Sequence, residues 1–121
     1  MKTTEGNKLI AEFMGMQQGK NRPYNDGRWE NDWFEAESGM RHSILLYHSS
    51  WDWLMPVVEK IENVYTKKYK SGFVVRIEYK DIFVMTLDTS EELIICDQSD
   101  SKLEGVYWTC VKFIKWYNKN K

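Results

Sequence analysis

Two stretches of the chain repeat their apolar residues at the spacing of an α-helix, and a third alternates them at the spacing of a β-strand. In Trp51–Lys68, Leu54, Val57, Val58, Ile61, Val64 and Tyr65 fall at i, i+3, i+4, i+7, i+10 and i+11, one side of a helix. Glu59, Lys60, Glu62, Asn63 and Lys67 fill the other side, so the stripe needs a cover and the rest stays in water. Pro56 is tolerated near a helix start, where its missing N–H loses no hydrogen bond, which makes Ser50 or Asp52 the expected cap. A second stripe, Leu103, Val106, Tyr107, Cys110, Val111, Ile114 and Tyr117, predicts a helix over Lys102–Asn118. It begins at Ser101-Lys102-Leu103-Glu104, a capping box whose serine and glutamate side chains each satisfy a backbone N–H that the first turn leaves open. Asn7–Met14 reads as a short helix with Thr4 or Asn7 near its cap and Gly15 as its stop. Too short to stand alone, it must dock through Leu9, Ile10, Phe13 and Met14.

The alternating stretch starts after Gly72, with Phe73, Val75, Ile77 and Tyr79 facing one way and Val74, Arg76, Glu78 and Lys80 the other. Ile82–Leu87 and Leu93–Cys96 follow across connections too short for a parallel crossover, the first of them tight at Lys80-Asp81, which predicts an antiparallel meander. Upstream, Arg41–Tyr47 reads as a strand covered on both faces, with Ser38-Gly39 the turn before it and Trp33–Glu37 its partner. The expected class is α+β: an antiparallel sheet of three to five strands shielded by the long amphipathic helices Trp51–Lys68 and Lys102–Asn118, with Asn7–Met14 beside them.

A chain of 121 residues with 42% hydrophobic content suits one domain spanning residues 1–121. Lys plus Arg number 17 against 18 Asp plus Glu, so the formal charge of −1 makes no overall electrostatic case for a nucleic-acid or anionic-membrane partner. No apolar run reaches the ~18 residues of a membrane span, and MKTTEGNKLI lacks the features of a signal peptide, so a cytoplasmic protein is expected. Cys96 and Cys110 form no CxxC pair and read as reduced core residues. The compositional anomaly is the loop at 17–40. From Tyr24 to Glu37 it interleaves Tyr24, Trp29, Trp33 and Phe34 with five acids against Arg28, which leaves a local charge of −4.

The blocks NKLIAEFMG, SWDWLMPVVEKIE and KLEGVYWTCVKFIKWYN, in that order, resemble the small phage ABA-sandwich-domain proteins of bacterial and phage genomes. The resemblance covers roughly a third of the chain. It implies an α/β/α layered sandwich and a phage or prophage origin, and it transfers no catalytic or binding residue.

The chemistry-bearing residues are sparse. His42, His48 and Asp52 have the types of a three-ligand metal site, yet strand and cap positions give such residues ordinary backbone partners. No metal site or cofactor follows. Ser49, Ser50, His48 and Asp52 have the types of a nucleophilic triad, but a helix cap accounts for the serines. No nucleotide-binding or hydrolase fingerprint is present, and Glu91, Glu92 and Glu104 lie in turn or cap settings. Lys67, Lys68 and Lys70 follow one long helix and Lys112, Lys115, Lys119 and Lys121 end the other. If those ends met, with Tyr69, Trp116 and Tyr117, they would form a basic aromatic patch able to hold single-stranded nucleic acid. The favoured reading, given the near-zero net charge, is that these lysines answer the helix dipoles and solvate the surface, which makes a nucleic-acid partner the lesser expectation. Trp29, Trp33 and Phe34 in the acidic loop are the candidate partner-binding residues, since Trp anchors interfaces and surrounding acids steer a basic partner; the competing reading has the rings cap one end of the core. The sequence thus reads first as a non-enzymatic interaction module, with a protein partner or a second copy of itself. A nucleic-acid-binding accessory protein comes next, and a metal-dependent enzyme third.

Overall fold

The computed structural model describes residues 2–23, 27–70, 72–78, 81–86, 92–96 and 101–121. The chain divides into two compact units, Met1–Leu46 and Tyr47–Lys121. Instead of one sheet, the described residues form two antiparallel sheets of three strands, one in each unit.

The first unit opens with helix α1 (Thr3–Phe13), which starts four residues before the expected Asn7. Asn7 is therefore no cap: it sits buried inside the helix, and its Nδ2 donates to the Leu45 carbonyl at 3.2 Å. Gly15 does stop the helix, at φ 84°. Its N–H donates to Glu12 O (3.1 Å) and that of Met16 to Ala11 O (2.9 Å), the paired bonds of a Schellman end. Three two-residue strands follow, β1 (Gln17–Gln18), β2 (Trp33–Phe34) and β3 (Arg41–His42), in the order β1-β2-β3. The expected pairing of the Trp33 region with the Arg41 region is present, Trp33 opposite His42 and Phe34 opposite Arg41. The strand predicted over Arg41–Tyr47 is not: it ends at His42, and Ile44 is 66% exposed. Its partner β2 offers only two residues, and the Leu45 carbonyl takes the Asn7 amide in place of a ladder bond.

The second unit carries the meander β4 (Phe73–Glu78), β5 (Asp81–Thr86) and β6 (Glu92–Cys96) in sequential antiparallel order. The expected Lys80-Asp81 turn falls partly outside the described residues. Helix α2 (Trp51–Asn63) lies on β4, α3 (Lys102–Asn120) lies on β5 and β6, and the helices touch each other. The covered face of the sheet holds Phe73, Ile82, Val84 and Thr86, all buried. From the helices, Leu54, Val57, Val58, Ile61, Val106, Tyr107, Cys110, Val111, Phe113 and Ile114 complete this core, as both stripes require. Ser101 caps α3 as its motif demands, accepting the Glu104 N–H at 3.1 Å.

The bounds of α2 need correction. Ser50 occupies the cap position without a side-chain bond, Pro56 stands inside the helix rather than at its first turn, and the helix stops at Asn63, not Lys68. Asn63 Nδ2 donates to Glu59 O at 2.7 Å, Val64 is extended, and buried Thr66 builds its own turn, its Oγ1 accepting the Tyr69 N–H at 3.0 Å. Asn, Val and Thr are weak helix formers, and here local side-chain bonds supply the alternative. Helix α3 runs two residues past the expected Asn118.

Candidate functional site

The early end of α2 leaves the segment 64–70 running beside the last turn of α3, and the two enclose an open cleft of about 660 Å³. Asn63, Val64, Tyr65, Thr66, Lys67, Lys70, Tyr117 and Lys121 line it, with no acidic residue among them. The segment is held in place from below. Thr66 and Tyr69 are buried, the Thr66 N–H donates to Tyr69 O (3.2 Å), and the Tyr69 ring packs on Phe73 and Trp116. Lys67 and Lys68 thus ride on a fixed turn, with Lys68 Nζ 5.2 Å from the Tyr69 ring centre. Tyr117 stacks on Phe113 at 5.9 Å and 16°, and Lys121 Nζ lies 6.0 Å above its ring.

The condition set by the sequence, that the two lysine-bearing helix ends meet, is fulfilled for Lys67, Lys70 and Lys121 with Tyr117. Trp116 and Tyr69 stand behind the cleft as part of the aromatic core rather than lining it. Tyr65 is the residue that sequence reasoning placed wrongly. Assigned to the buried stripe of α2, it is 68% exposed and lines the cleft. The available signal was Asn63-Val64, a pair of weak helix formers just before it.

At both helix ends a side-chain amide reaches a last-turn carbonyl. Last-turn carbonyls are what a lysine at a helix end would answer. At α2 the Asn63 amide already bonds Glu59 O, and at α3 the Asn120 Nδ2 bonds Trp116 O at 2.7 Å while the Lys121 N–H bonds Tyr117 O at 2.9 Å.

The loop of the first unit is differently made. Trp33 and Phe34 are each only 7% exposed, in the interior of their unit, whereas Trp29 is 42% exposed. Two of its acids are met by bases from β3: Arg41 Nη1 bonds Asp32 at 2.7 Å, and His42 Nε2 donates to Glu35 at 2.5 Å, an ion pair when the imidazole is protonated. The bond from His42, joined by one from Ser38 Oγ at 3.0 Å, holds the Glu35 carboxyl below its ordinary range. Guanidinium groups cover the rings, Arg22 at 3.8 Å from Phe34, Arg28 and Arg41 at 4.9 and 4.7 Å from Trp29. Two of the five acids of the stretch, Asp32 and Glu35, are thus paired.

His48 packs edge-on to Tyr107, and Asp52 lies in the first turn of α2. Among the described residues no three His, Cys, Asp or Glu gather as a metal site would require. Burial pushes the Cys110 thiol up to about 12, which keeps it protonated and inert at neutral pH. Among the described residues no helix is long and apolar enough to cross a membrane. No family model matches the chain, and no curated protein or solved structure does either.

Proposed function

We propose that the protein is a non-enzymatic accessory module that binds nucleic acid through the lysine–tyrosine cleft between the ends of α2 and α3. The observation that carries this reading is the lining itself: Lys67, Lys70 and Lys121 converge with Tyr65 and Tyr117 on one recess with no Asp or Glu side chain among its described lining residues. Phosphates need positive charge within reach, and lysine supplies it as a mobile point charge without demanding a fixed geometry. The near-zero net charge does not oppose this. Residues 63–70 and 105–121 hold seven lysines and no acid, so the acids that balance them stand elsewhere in the chain.

The protein-interaction reading rests on Trp29 as its exposed anchor, with Arg28 and Arg41 beside it, since Trp33 and Phe34 are interior. A phage or prophage setting, with an α/β/α layering of the chain, belongs to the same proposal and rests on the resemblance of the three sequence blocks. The deciding experiment is fluorescence polarisation of a labelled oligonucleotide at low salt. Wild type binds, K67Q/K70Q/K121Q loses binding with its melting temperature kept, and the control K8Q/K20Q in the first unit binds as wild type does. Equal binding by wild type and the cleft variant would sink the proposal.

A further inference from the structure

Within that cleft the aromatic residues divide into supports and a free surface. Tyr117 has Phe113 stacked on its ring and Lys121 Nζ above it, and Tyr69 is buried against Phe73 and Trp116. Tyr65 is unlike both. The residue is 68% exposed, its ring makes no ring contact among the described residues, and Lys67 follows two positions later on the turn fixed by Thr66. An exposed tyrosine face next to ammonium groups offers a stacking platform and a phosphate clamp on one short segment. At about 660 Å³ the recess lies in the range of small-molecule sites, ~300–1,000 Å³, which suits a nucleotide that has left its stack.

We infer that the cleft seats an unstacked nucleotide of a single strand, its base against Tyr65 and its flanking phosphates on Lys67, Lys70 and Lys121. This rests on the nucleic-acid reading above and adds to it the form of the strand. In a duplex the flat faces of the bases are already stacked on each other, so Tyr65 has nothing to cover and only the lysines contribute. A single strand uses both, and it does so with any sequence, because every base has a flat face.

The experiment titrates the full chain against a labelled oligothymidylate and against a duplex of equal length, with wild type, Y65A and Y65F. The expected result is tighter binding of the single strand, a loss of roughly tenfold for Y65A on the single strand alone, and retention by Y65F. Because the ring is exposed, Y65A keeps the wild-type melting temperature. Duplex binding as tight as single-strand binding, or a Y65A variant that binds the single strand like wild type, overturns the inference while leaving a lysine-dependent nucleic-acid site intact. No binding of either probe at low salt overturns the inference and the proposed function together.

Discussion

At the scale of single residues, two glycines four positions apart are required for unrelated reasons, and mutation separates them. Gly15 has φ 84°, and a Cβ built on it meets nothing within 4 Å, so the cost of Gly15→Ala is backbone strain alone. About 1 kcal/mol is expected, the usual cost of placing an L-residue in the left-handed region. At Gly19 the added Cβ would stand 1.8 Å from the Trp29 carbonyl oxygen. That oxygen is backbone, and the strip it belongs to is tied to the glycine's own segment by Gly19 N–H to Asp32 O (2.8 Å) and Lys20 N–H to Glu30 O (3.0 Å). The chain must separate there to admit a methyl group, so Gly19→Ala is expected to cost about 3 kcal/mol or more. Urea midpoints of the two variants check the order. A Gly19→Ala protein as stable as Gly15→Ala would mean that residues 29–32 do not lie on the 19–21 turn. Only the first of these glycines was legible from sequence, because a helix stop is a local pattern, whereas the Gly19 contact joins residues ten apart through a loop.

Among the elements, the edge of β4 shows how α2 is used beyond its apolar stripe. The Val75 N–H, on the side of β4 away from β5, donates to Glu62 Oε2 of α2 at 3.0 Å. Half-buried, this charged acceptor satisfies a backbone donor that an edge strand would otherwise offer to water or to another chain. Glu62→Ala is therefore expected to cost about 1–2 kcal/mol, Glu62→Gln less because an acceptor remains, and Glu59→Ala on the exposed side under ~0.5 kcal/mol. Thermal melts of the three variants test it, and equal midpoints for Glu62→Ala and Glu59→Ala would remove the edge-capping role. The sequence marked Glu62 only as a wet-face residue, since its partner lies on another element. The same limit explains the elements read too long. A stripe at i+10 and i+11 carried α2 on to Tyr65, although Asn63 and Thr66 close local bonds that end the helix first. An apolar run carried a strand on to Tyr47, although two-residue β2 leaves it no partner beyond His42. The motifs whose partners lie within a few residues, the Ser101 cap, the Gly15 stop and the β4–β6 meander, read true, whereas the dry face predicted for β4 fails at Ile77, which is 38% exposed.

For the molecule as a whole, the net charge of −1 is an average that conceals segregation. Seven lysines with no Asp or Glu occupy residues 63–70 and 105–121, while in the first unit Asp32 and Glu35 are engaged with Arg41 and His42. A nearly neutral protein exerts little long-range pull on a polyanion, so any salt dependence of binding reports charges within about one Debye length, ~8 Å at physiological ionic strength. Each phosphate neutralised on a single strand contributes about −0.7 to the slope of log K against log salt. Three lysines line the cleft, so the expected slope is about −2, and Lys121→Gln alone should bring it to roughly −1.4. Tyr65→Ala removes affinity without removing charge and should leave the slope where it was. A slope near −4 in the wild type would instead mean that Lys112, Lys115 and Lys119 join the contact and that the strand follows α3 rather than the recess. A slope near zero would mean that the lysines serve the surface and not a ligand. Titrations at four or more salt concentrations, with the protein otherwise unchanged, distinguish the three.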